Sequence, residues 1–210
     1  MRDETNGLYF IAGGTGGIGS EVARRLRVQG SEVALAARNE ARLEECAREL
    51  GARAAPMDAT QPEAVARAFD AALANGDRLM GVVNCIGTIL LKPAHLTSDE
   101  EWRTTLDTNL TSSFLLLREA ARRMMTSGGG SIVFCSTVAA ERGLFNHEAI
   151  AAAKAGVEGL TRAAAQSGRG SASARAVGRA GRHRVGHLLA VVARAKLGHR
   201  TGAPRGRRSV

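Results

Sequence analysis

The sequence predicts an α/β fold with a doubly wound parallel sheet that is incomplete at its C-terminal end. Through residue 165, short apolar runs alternate with segments whose apolar residues recur every three or four positions, a pattern typical of βαβ units. A glycine-rich turn joins the first apolar run to the first helical segment, and the alternation stops after residue 165. We therefore predict one domain over residues 1–165 and a poorly specified tail over residues 166–210.

The elements of this domain are predicted from the period of their apolar residues. The strands are Leu8–Ala12, Glu32–Ala37, Ala52–Met57, Gly81–Cys85 and Ser131–Cys135. The crossover helices are Glu21–Gln29, Arg42–Leu50, Glu63–Leu73 and Trp102–Met125, and a further helix covers Ala149–Ala165. Gly30 and Gly51 follow helix ends, and Thr60 and Ser98 stand at N-cap positions.

The positive charge of the chain is concentrated in the tail. Residues 166–210 hold ten arginines, one lysine and no acidic residue, whereas residues 1–165 hold 18 basic and 20 acidic residues. The tail is also rich in Gly, Ala and Ser without either period, which is typical of a flexible segment. Only His187–Leu197 has a pattern compatible with a helix there.

Membrane and metal-binding classes are not supported by the sequence. The opening residues, MRDETNGLYF, contain no basic segment followed by an apolar stretch, and no apolar run reaches the roughly 18 residues that crossing a bilayer requires. Cys46, Cys85 and Cys135 lack the spacing of metal ligands. We therefore expect a soluble, cytoplasmic protein with reduced cysteines, no metal and no membrane partner.

The turn after the first strand has the composition of a phosphate-binding loop. Its sequence, AGGTGGIG over residues 12–19, opens into a helix whose first amides point back at the loop. Gly13 permits a tight turn, Gly17 lets the backbone approach a pyrophosphate, and Gly19 lets the helix pack on the sheet. The alternative is a glycine-rich turn without a ligand. The predicted cradle for a dinucleotide consists of Gly13, Thr15, Gly16, Gly17, Ile18 and Gly19.

The G-x-x-x-G-x-G spacing of this loop resembles the short-chain dehydrogenase/reductase family, which implies a Rossmann-like fold. NAD-preferring members carry an acidic residue at the end of the second strand, where this chain has Ala37 followed by Arg38. Because a guanidinium pairs with a 2′-phosphate that a carboxylate would repel, Arg38 favours NADP(H) over NAD(H). Gly16 does not reinforce this preference, since many NADP-dependent members are basic there. The alternative is a solvated surface arginine.

Three further segments resemble the family's cofactor contacts. The resemblance implies that Asp58 contacts the adenine, that Asn84, Ile86 and Gly87 lie beside the ribose, and that Asn109 holds a water in the proton relay. Asp58 and the segment after the fourth predicted strand both fall at strand ends, where such sheets bind cofactors. The alternatives are a turn-forming role for Asp58 and a surface amide for Asn109.

The match to the family's catalytic residues is uneven. Members use a serine after the fifth strand, then a tyrosine that exchanges a proton with the substrate, and a lysine four residues after the tyrosine. Lys154 is present, but Ile150 replaces the tyrosine and Thr137 replaces the serine. The resemblance implies that Lys154 positions the nicotinamide ribose and that Thr137, or Ser136 beside it, polarises the substrate oxygen. Isoleucine transfers no proton, so the chain is an atypical member.

His147 is the candidate replacement for the missing tyrosine. It stands three residues before Ile150, on roughly the same helical face, and histidine titrates near neutral pH. The alternative is a capping or surface role at the start of the helix.

Two functions are compatible with these residues. The first is an NADP(H)-dependent oxidoreductase that interconverts a ketone and a secondary alcohol, with a small-molecule carbonyl or alcohol as substrate. The second is a dinucleotide-binding pseudoenzyme or a damaged remnant. The resemblance also implies a homotetramer built partly on the two long helices. The family's last strand is not recognisable in this chain, so a homo-oligomer is not expected with the same force.

Two hypotheses account for the basic tail. The family's sixth strand and substrate loop are not recognisable, and Ser-Ala-Ser-Ala at residues 171–174 is what codons for Ile-Arg-Val-Ser give when read one base late. The favoured hypothesis is therefore a C-terminus truncated or replaced by a frameshift near codon 166, which removes one wall of the pocket and exposes a sheet edge. The alternative is a genuine tail that binds nucleic acid or acidic lipid. The tail lacks interleaved aromatics, so no nucleic-acid partner is favoured.

Overall fold

The computed structural model describes residues 7–170, 183–185 and 188–193, with side chains for residues 7–167. The strands are β1 (Leu8–Ala12), β2 (Glu32–Ala37), β3 (Arg53–Pro56), β4 (Leu79–Asn84), β5 (Ser131–Thr137), β6 (His183–Val185) and β7 (Leu188–Ala193). The helices are α1 (Gly17–Val28), α2 (Glu40–Leu50), α3 (Pro62–Ala72), α4 (Asp99–Leu106), α5 (Ser112–Thr126), α6 (Ala139–Arg142) and α7 (Glu148–Gly170). A 3-10 turn, Ala94–Leu96, precedes α4, and a π-helical turn, Asp107–Thr111, joins α4 to α5.

The first five strands form a parallel sheet in the order β3-β2-β1-β4-β5. This order confirms the predicted α/β, Rossmann-like fold. The chain moves outward from β1 to β2 and β3 and then returns, so that β4 pairs with the opposite edge of β1, with Ala12 beside Asn84 at the strand ends. The crevice beyond such a switch point is where open α/β sheets bind ligands.

Both faces of the sheet are covered by helices. On one face α1 and α2 bury residues such as Ala23 and Leu43 against β1 and β2. On the other face α3, α5 and α7 pack on the sheet, and the ring of Phe69 in α3 stacks on Phe10 of β1 with centroids 4.2 Å apart. Burial on two faces explains why the strands are continuous apolar runs rather than alternating ones.

Two local features differ from the prediction. The helix expected over Trp102–Met125 is interrupted by the π turn, which carries the fully buried Asn109. Thr60 is not the N-cap of α3, because its N–H and hydroxyl both donate to Asp58 Oδ1, at 2.9 and 2.7 Å, and Gln61 takes the cap position. Ser98, by contrast, forms the predicted cap of α4 as part of a capping box with Glu101.

The far edge of β5 is paired. β7 runs antiparallel to β5, with Ala193 opposite Ile132 and Leu188 opposite Thr137, and β6 pairs with β7. The sheet edge that the frameshift hypothesis expected to be exposed is therefore paired at β5, and the segment whose pattern was compatible with a helix contains the strand β7 instead. The sequence of β7, LLAVVA, is a continuous apolar run with two β-branched residues, which suits a strand paired on a sheet.

Helix α7 continues past the predicted boundary at residue 165 to Gly170. Most of the basic tail, and with it the residues on which the frameshift and nucleic-acid hypotheses depend, lies outside the described residues. In the part of the chain that the structure describes, no helix combines the length with the apolar character that a membrane span needs.

Candidate functional site

The glycine loop lies directly beyond the end of β1. Gly13 adopts a φ of +76°, and its N–H donates to the Ala36 carbonyl at 2.8 Å, which ties the loop to β2. The Gly16 N–H donates to the Gly13 carbonyl at 3.1 Å, which closes the turn just before α1 begins at Gly17. The first turn of α1 contains no acidic residue, so its free amides and the positive end of its dipole stand uncompensated at the crevice.

The glycines of the loop differ in what surrounds them. A Cβ at Gly19 would collide with the carbonyl oxygen of Gly13, and a Cβ at Gly13 would lie 2.9 Å from the carbonyl carbon of Cys85. A Cβ at Gly17, in contrast, would have no described heavy atom within 4 Å. Gly13 and Gly19 are therefore required by the fold itself, whereas Gly17 leaves an open cradle at the start of α1 of the kind that accepts a phosphate.

A groove of about 350 Å³ connects this loop to the ends of β2, β3 and β4. It also contains Arg42, in the first turn of α2, which the sequence analysis did not single out. The sequence contained a signal for Arg42: it lies four residues after Arg38, and because α2 begins shortly after β2 ends, both arginines stand at the same edge of the sheet. The predicted cofactor residues that line the groove are Gly13, Thr15, Gly16, Arg38, Asp58, Ile86 and Gly87.

The Asp58 carboxylate is a fixed charge on the wall of this groove. Hydrogen bonds from the N–H and hydroxyl of Thr60, together with the nearby Arg38 guanidinium, lower the pKa of Asp58. Both bonds from Thr60 reach the same oxygen, Oδ1. Asp58 is therefore an ionised acceptor near neutral pH, held in one orientation.

Asn84 shapes the segment that enters the groove from β4. Its side chain is buried, with Nδ2 donating to Ser113 Oγ at 3.0 Å and Oδ1 accepting the Ile86 N–H at 2.9 Å. Both ends of the amide are therefore engaged within the protein. Asn84 contributes to the groove by positioning Ile86 and Gly87, which do line it.

Asn109 links the π turn to the same segment. Its Nδ2 donates to the Thr105 carbonyl at 2.9 Å, and its Oδ1 accepts the Thr88 N–H at 3.3 Å. A Cβ at Gly87 would lie 2.9 Å from Asn109 Oδ1 and 3.3 Å from Lys154 Nζ. Gly87 therefore allows the amide of Asn109 and the ammonium of Lys154 to converge at one place. Local π turns of this kind are frequent at functional sites.

A second cavity, of about 700 Å³, opens beyond the ends of β4 and β5. Ile18, which was predicted to lie at the cofactor, stands on its wall, and so does Ile150. Four residues, Cys85, Ile86, Gly87 and Thr88, line both the groove and this cavity, so the two form one crevice. The predicted catalytic residues that line the cavity are Asn109, Ser136, Thr137, His147 and Lys154.

Lys154 is a buried cation in this cavity. It is 8% exposed and makes no hydrogen bond or ion pair with any described residue. Burial lowers the pKa of Lys154, while the thiols of Cys135 and Cys85 oppose that shift. Ile150, one helical turn earlier on α7, is buried beside it and offers only carbon atoms. The site thus keeps an unpartnered ammonium but has no phenol.

The two hydroxyl candidates on β5 differ in their partners. Ser136 is buried, and its Oγ donates to Glu158 Oε1 of α7 at 2.8 Å. Thr137 is half-buried, and its Oγ1 accepts the Ala139 N–H at 3.3 Å, which leaves its hydroxyl hydrogen unused by that contact. The geometry favours Thr137 as the hydroxyl that is available to a ligand.

His147 stands immediately before α7 at the rim of the cavity. Its Nδ1 lies 2.7 Å from the Phe145 carbonyl oxygen. Because a carbonyl oxygen only accepts, Nδ1 carries the hydrogen in this contact and Nε2 is the nitrogen available for proton exchange. The His147 carbonyl accepts the Ala151 N–H, so the residue also takes part in the start of the helix.

Two cysteines at the cavity were not assigned a role by the sequence analysis. Cys85 follows β4 and Cys135 lies in β5, and both line the cavity near Lys154. The two thiols influence each other, which lowers the pKa of Cys135 and raises that of Cys85. The signal that could have found this pair is that both cysteines fall at the ends of strands that neighbour each other in the sheet.

Known proteins share this architecture. The family model described as "Enoyl-(Acyl carrier protein) reductase" matches residues 12–175. A D-threitol dehydrogenase from Mycolicibacterium smegmatis is 32% identical over 207 residues, which cover 95% of this chain and 75% of that enzyme. In eight curated relatives that the chain matches, it spans between 53% and 75% of their length, and in several of them less than two thirds.

Solved structures are similar in the same way. A short-chain type dehydrogenase/reductase from Mycobacterium ulcerans superposes with a TM-score of 0.74 at 35% identity, covering 76% of this chain and 62% of that protein. A metagenomic short-chain oxidoreductase in complex with NADP superposes with a TM-score of 0.73 at 29% identity, covering 78% of this chain and 77% of that protein. Because the family model extends over most of the chain and the relatives carry the same fold, this chain belongs to the short-chain dehydrogenase/reductase family of oxidoreductases, whose members combine a small-molecule substrate with a nicotinamide nucleotide.

Proposed function

We propose that this protein binds NADP(H) along the groove and interconverts a ketone and a secondary alcohol in the adjoining cavity. The observation that carries the proposal is the continuity of the two spaces, which share the segment from Cys85 to Thr88. A dinucleotide held at the glycine loop would extend past this segment toward Lys154. Cofactor and substrate would then meet inside one crevice.

The residues of the groove fit a dinucleotide that carries an extra phosphate. The open space at Gly17 accommodates a pyrophosphate on the amides of α1, and Asp58 offers a charged acceptor for the adenine amino group. Arg38 and Arg42 line the groove where the 2′ position of the ribose would lie, and the buried Ala37 precedes them in place of a carboxylate. Two guanidinium groups favour NADP(H) over NAD(H).

The cavity contains groups for binding and polarising a ketone. When bound, NADPH supplies the hydride that reduces the carbonyl carbon. Lys154 would donate to the nicotinamide ribose, because its ammonium has no partner among the described residues. Thr137 would donate to the ketone oxygen, since the hydroxyl of Ser136 is engaged by Glu158.

The proton that the alcohol oxygen needs must come from a group other than Ile150. We assign this step to His147, whose Nε2 can carry a proton from solvent to the cavity. Asn109, fixed in the π turn beside Gly87, would order a water on the same path. His147 and Asn109 would together replace part of the role that the tyrosine has in other members.

The cavity walls indicate the class of substrate. Apart from the polar residues named above, the lining is mainly apolar and includes Ile89, Leu91 and Leu144, all exposed at the entrance. Apolar side chains gain free energy when a ligand covers them. The substrate is therefore proposed to be a ketone or alcohol with a substantial apolar body.

A second candidate function is supported by Ile150. A buried isoleucine at the tyrosine position leaves a site that can hold the cofactor without transferring a proton, as in a pseudoenzyme or a damaged remnant. In that case the protein would bind NADPH and would not turn over. A cytoplasmic location and a homo-oligomeric state stay predictions under either function.

Two measurements test the proposal. Fluorescence titration with NADPH and with NADH should show saturable binding, with tighter binding of NADPH. A panel of apolar ketones should then support NADPH consumption that a His147→Ala variant lacks. Binding without consumption across the panel would favour the second function, and absence of binding to both nucleotides in folded protein would refute both.

A further inference from the structure

Cys85 and Cys135 stand next to each other on neighbouring strands at the floor of the cavity. The described pairing of β4 with β5 ends with Asn84 opposite Phe134, so the two cysteines occupy the next step of that register. Neighbouring strands lie about 4.8 Å apart, which falls within the roughly 4.4–6.8 Å between Cα atoms that a disulfide needs. Residues at one register step project to the same face of a sheet, so the two side chains face the same way.

The two thiols occupy neighbouring positions and are accessible from the cavity. Both residues are half-buried, and both line the cavity wall. The neighbouring Cys85 thiol, together with the nearby charge of Lys154, lowers the pKa of Cys135 to about 7. The Cys135 thiol and burial raise the pKa of Cys85. Cys135 is therefore the more acidic of the two thiols and the better candidate for the nucleophile.

We propose that Cys85 and Cys135 form a dithiol redox site that exchanges with low-molecular-weight disulfides and closes to an intramolecular disulfide. In the first step the Cys135 thiolate attacks one sulfur of the small disulfide, which gives a mixed disulfide and releases one small thiolate. In the second step Cys85 loses its proton to solvent and attacks Sγ of Cys135, which releases the second small thiolate. Two protein thiols are oxidised and one small disulfide is reduced to two thiols.

The third cysteine is an internal control. Cys46 lies on α2 and packs in the hydrophobic cluster that α1 and α2 form with β1 and β2. It lines neither the groove nor the cavity. Cys46 should react as an isolated thiol, with one small thiol released and one adduct retained.

The test uses 4,4′-dithiodipyridine on the full chain carrying Cys46→Ser. The expected result at neutral pH is release of two thiopyridone molecules per chain while the protein retains no adduct. Trypsin should yield the peptides covering residues 79–103 and 124–142 joined by a disulfide, and dithiothreitol should separate them. The same peptides should stay unlinked when the reagent is omitted. Retained adducts on both cysteines, or linkage that appears only after denaturation, would overturn the proposal.

Two single variants in the same background separate the roles of the two thiols. Cys85→Ser removes the second step, so one thiopyridone should be released and the adduct should remain on Cys135. Cys135→Ser removes the first nucleophile, so release at neutral pH should be at least tenfold slower. Circular dichroism confirms that each variant is folded. Equal rates in the two variants, or loss of the adduct from Cys85→Ser without reductant, would contradict the assignment.

Discussion

The two ends of the crevice differ in how completely they carry the residues of the family. At the groove, the glycine loop, Arg38 and Asp58 line one space, and hydrogen bonds fix the loop and the Asp58 carboxylate. At the cavity, Lys154 is present, but the position of the family's tyrosine is occupied by Ile150. Under the proposed function, nucleotide binding and proton transfer would depend on separate strand ends of this fold, so that one could change while the other persists.

The two ends also differ in how their charges are satisfied. Asp58 accepts two hydrogen bonds and has a lowered pKa, so the fold favours its charged form. Lys154 is buried and makes no hydrogen bond or ion pair with a described residue, and its pKa is lowered because burial outweighs the opposing effect of Cys135 and Cys85, so the fold opposes its charged form. A buried unpaired ammonium is costly, which indicates that Lys154 serves a ligand rather than the stability of the protein.

The largest expected effect comes from restoring the proton donor at the cavity. Ile150→Tyr places a phenol one helical turn before Lys154, whose charge would lower the phenol's pKa. Ketone reduction with NADPH should rise by about a hundredfold or more, the usual contribution of general acid catalysis. Steady-state NADPH consumption measures the change, and Ile150→Phe is the matched control because it adds the ring without the hydroxyl. Equal rates in the Ile150→Tyr and Ile150→Phe variants would mean that the cavity lacks a catalytic group besides the tyrosine.

A smaller effect is expected at the cradle of the groove. Gly17→Ala adds a methyl group where no described atom lies, so the fold should be unchanged while the close approach of a pyrophosphate is blocked. Loss of two charge-assisted hydrogen bonds corresponds to about 3 kcal/mol, or about a hundredfold in the Kd of NADPH. Fluorescence titration measures it, with Gly159→Ala on α7 as the control glycine. Unaltered affinity in a folded Gly17→Ala protein would argue against binding at this loop.

The preference between the two nucleotides should depend on Arg38. Arg38→Ala removes one charge-assisted contact to a 2′-phosphate, worth about 1.5 kcal/mol, so the Kd of NADPH should rise about tenfold while that of NADH changes little. The measurement is the ratio of the two dissociation constants. Arg48→Ala, which removes an exposed arginine of α2 that does not line the groove, should leave the ratio unchanged. An equal rise in the Kd of both nucleotides would show that Arg38 does not bind the 2′-phosphate.

The smallest effect concerns the stability of the ligand-free protein. Since the folded pKa of Lys154 lies below its ordinary value of 10.5, the folded state binds this proton less tightly than the unfolded state. The lysine therefore destabilises the fold at neutral pH, and the penalty fades as the pH rises through the folded pKa toward 10.5. Lys154→Met should raise Tm at neutral pH by about 2–4 °C, for a gain of about 1 kcal/mol.

The gain in the Lys154→Met variant should shrink as the pH rises toward 10.5, because the wild-type lysine loses its proton earlier in the folded state than in the unfolded state. Thermal denaturation followed by circular dichroism across this pH range gives the comparison. Lys92→Met is the control, because the Lys92 ammonium is paired with Glu101 and its removal should bring no gain. A lower Tm for Lys154→Met at neutral pH would show that the ammonium has a stabilising partner.

Most of the groove could be predicted from the sequence because its residues follow strands in chain order. The glycine loop, Arg38, Asp58 and the segment after β4 each come directly after an apolar run, so locating the strand also locates the residue. The cavity was harder to predict, because its residues approach one another from β4, β5, the π turn and α7. The choice between Ser136 and Thr137, for example, depends on Glu158, which lies on a different element.

The tail shows where a local pattern misleads. The apolar residues of 188–193 permit a helix or a strand, and pairing with the free edge of β5 selects the strand, because backbone groups on both sides gain hydrogen bonds. A similar dependence on distant partners interrupts the helix at Asp107–Thr111, where Asn109 is buried against Thr88.

The sequence by itself determined the α/β alternation, the phosphate-binding turn, the basic residue after β2 and the replacement of the tyrosine, since each depends on residues close together along the chain. Only the tertiary structure decided that β5 is paired by β7, that Ser136 is engaged while Lys154 is not, and that Cys85 meets Cys135. These outcomes depend on which strands and helices become neighbours, and that is fixed by burial and pairing over long distances in the chain.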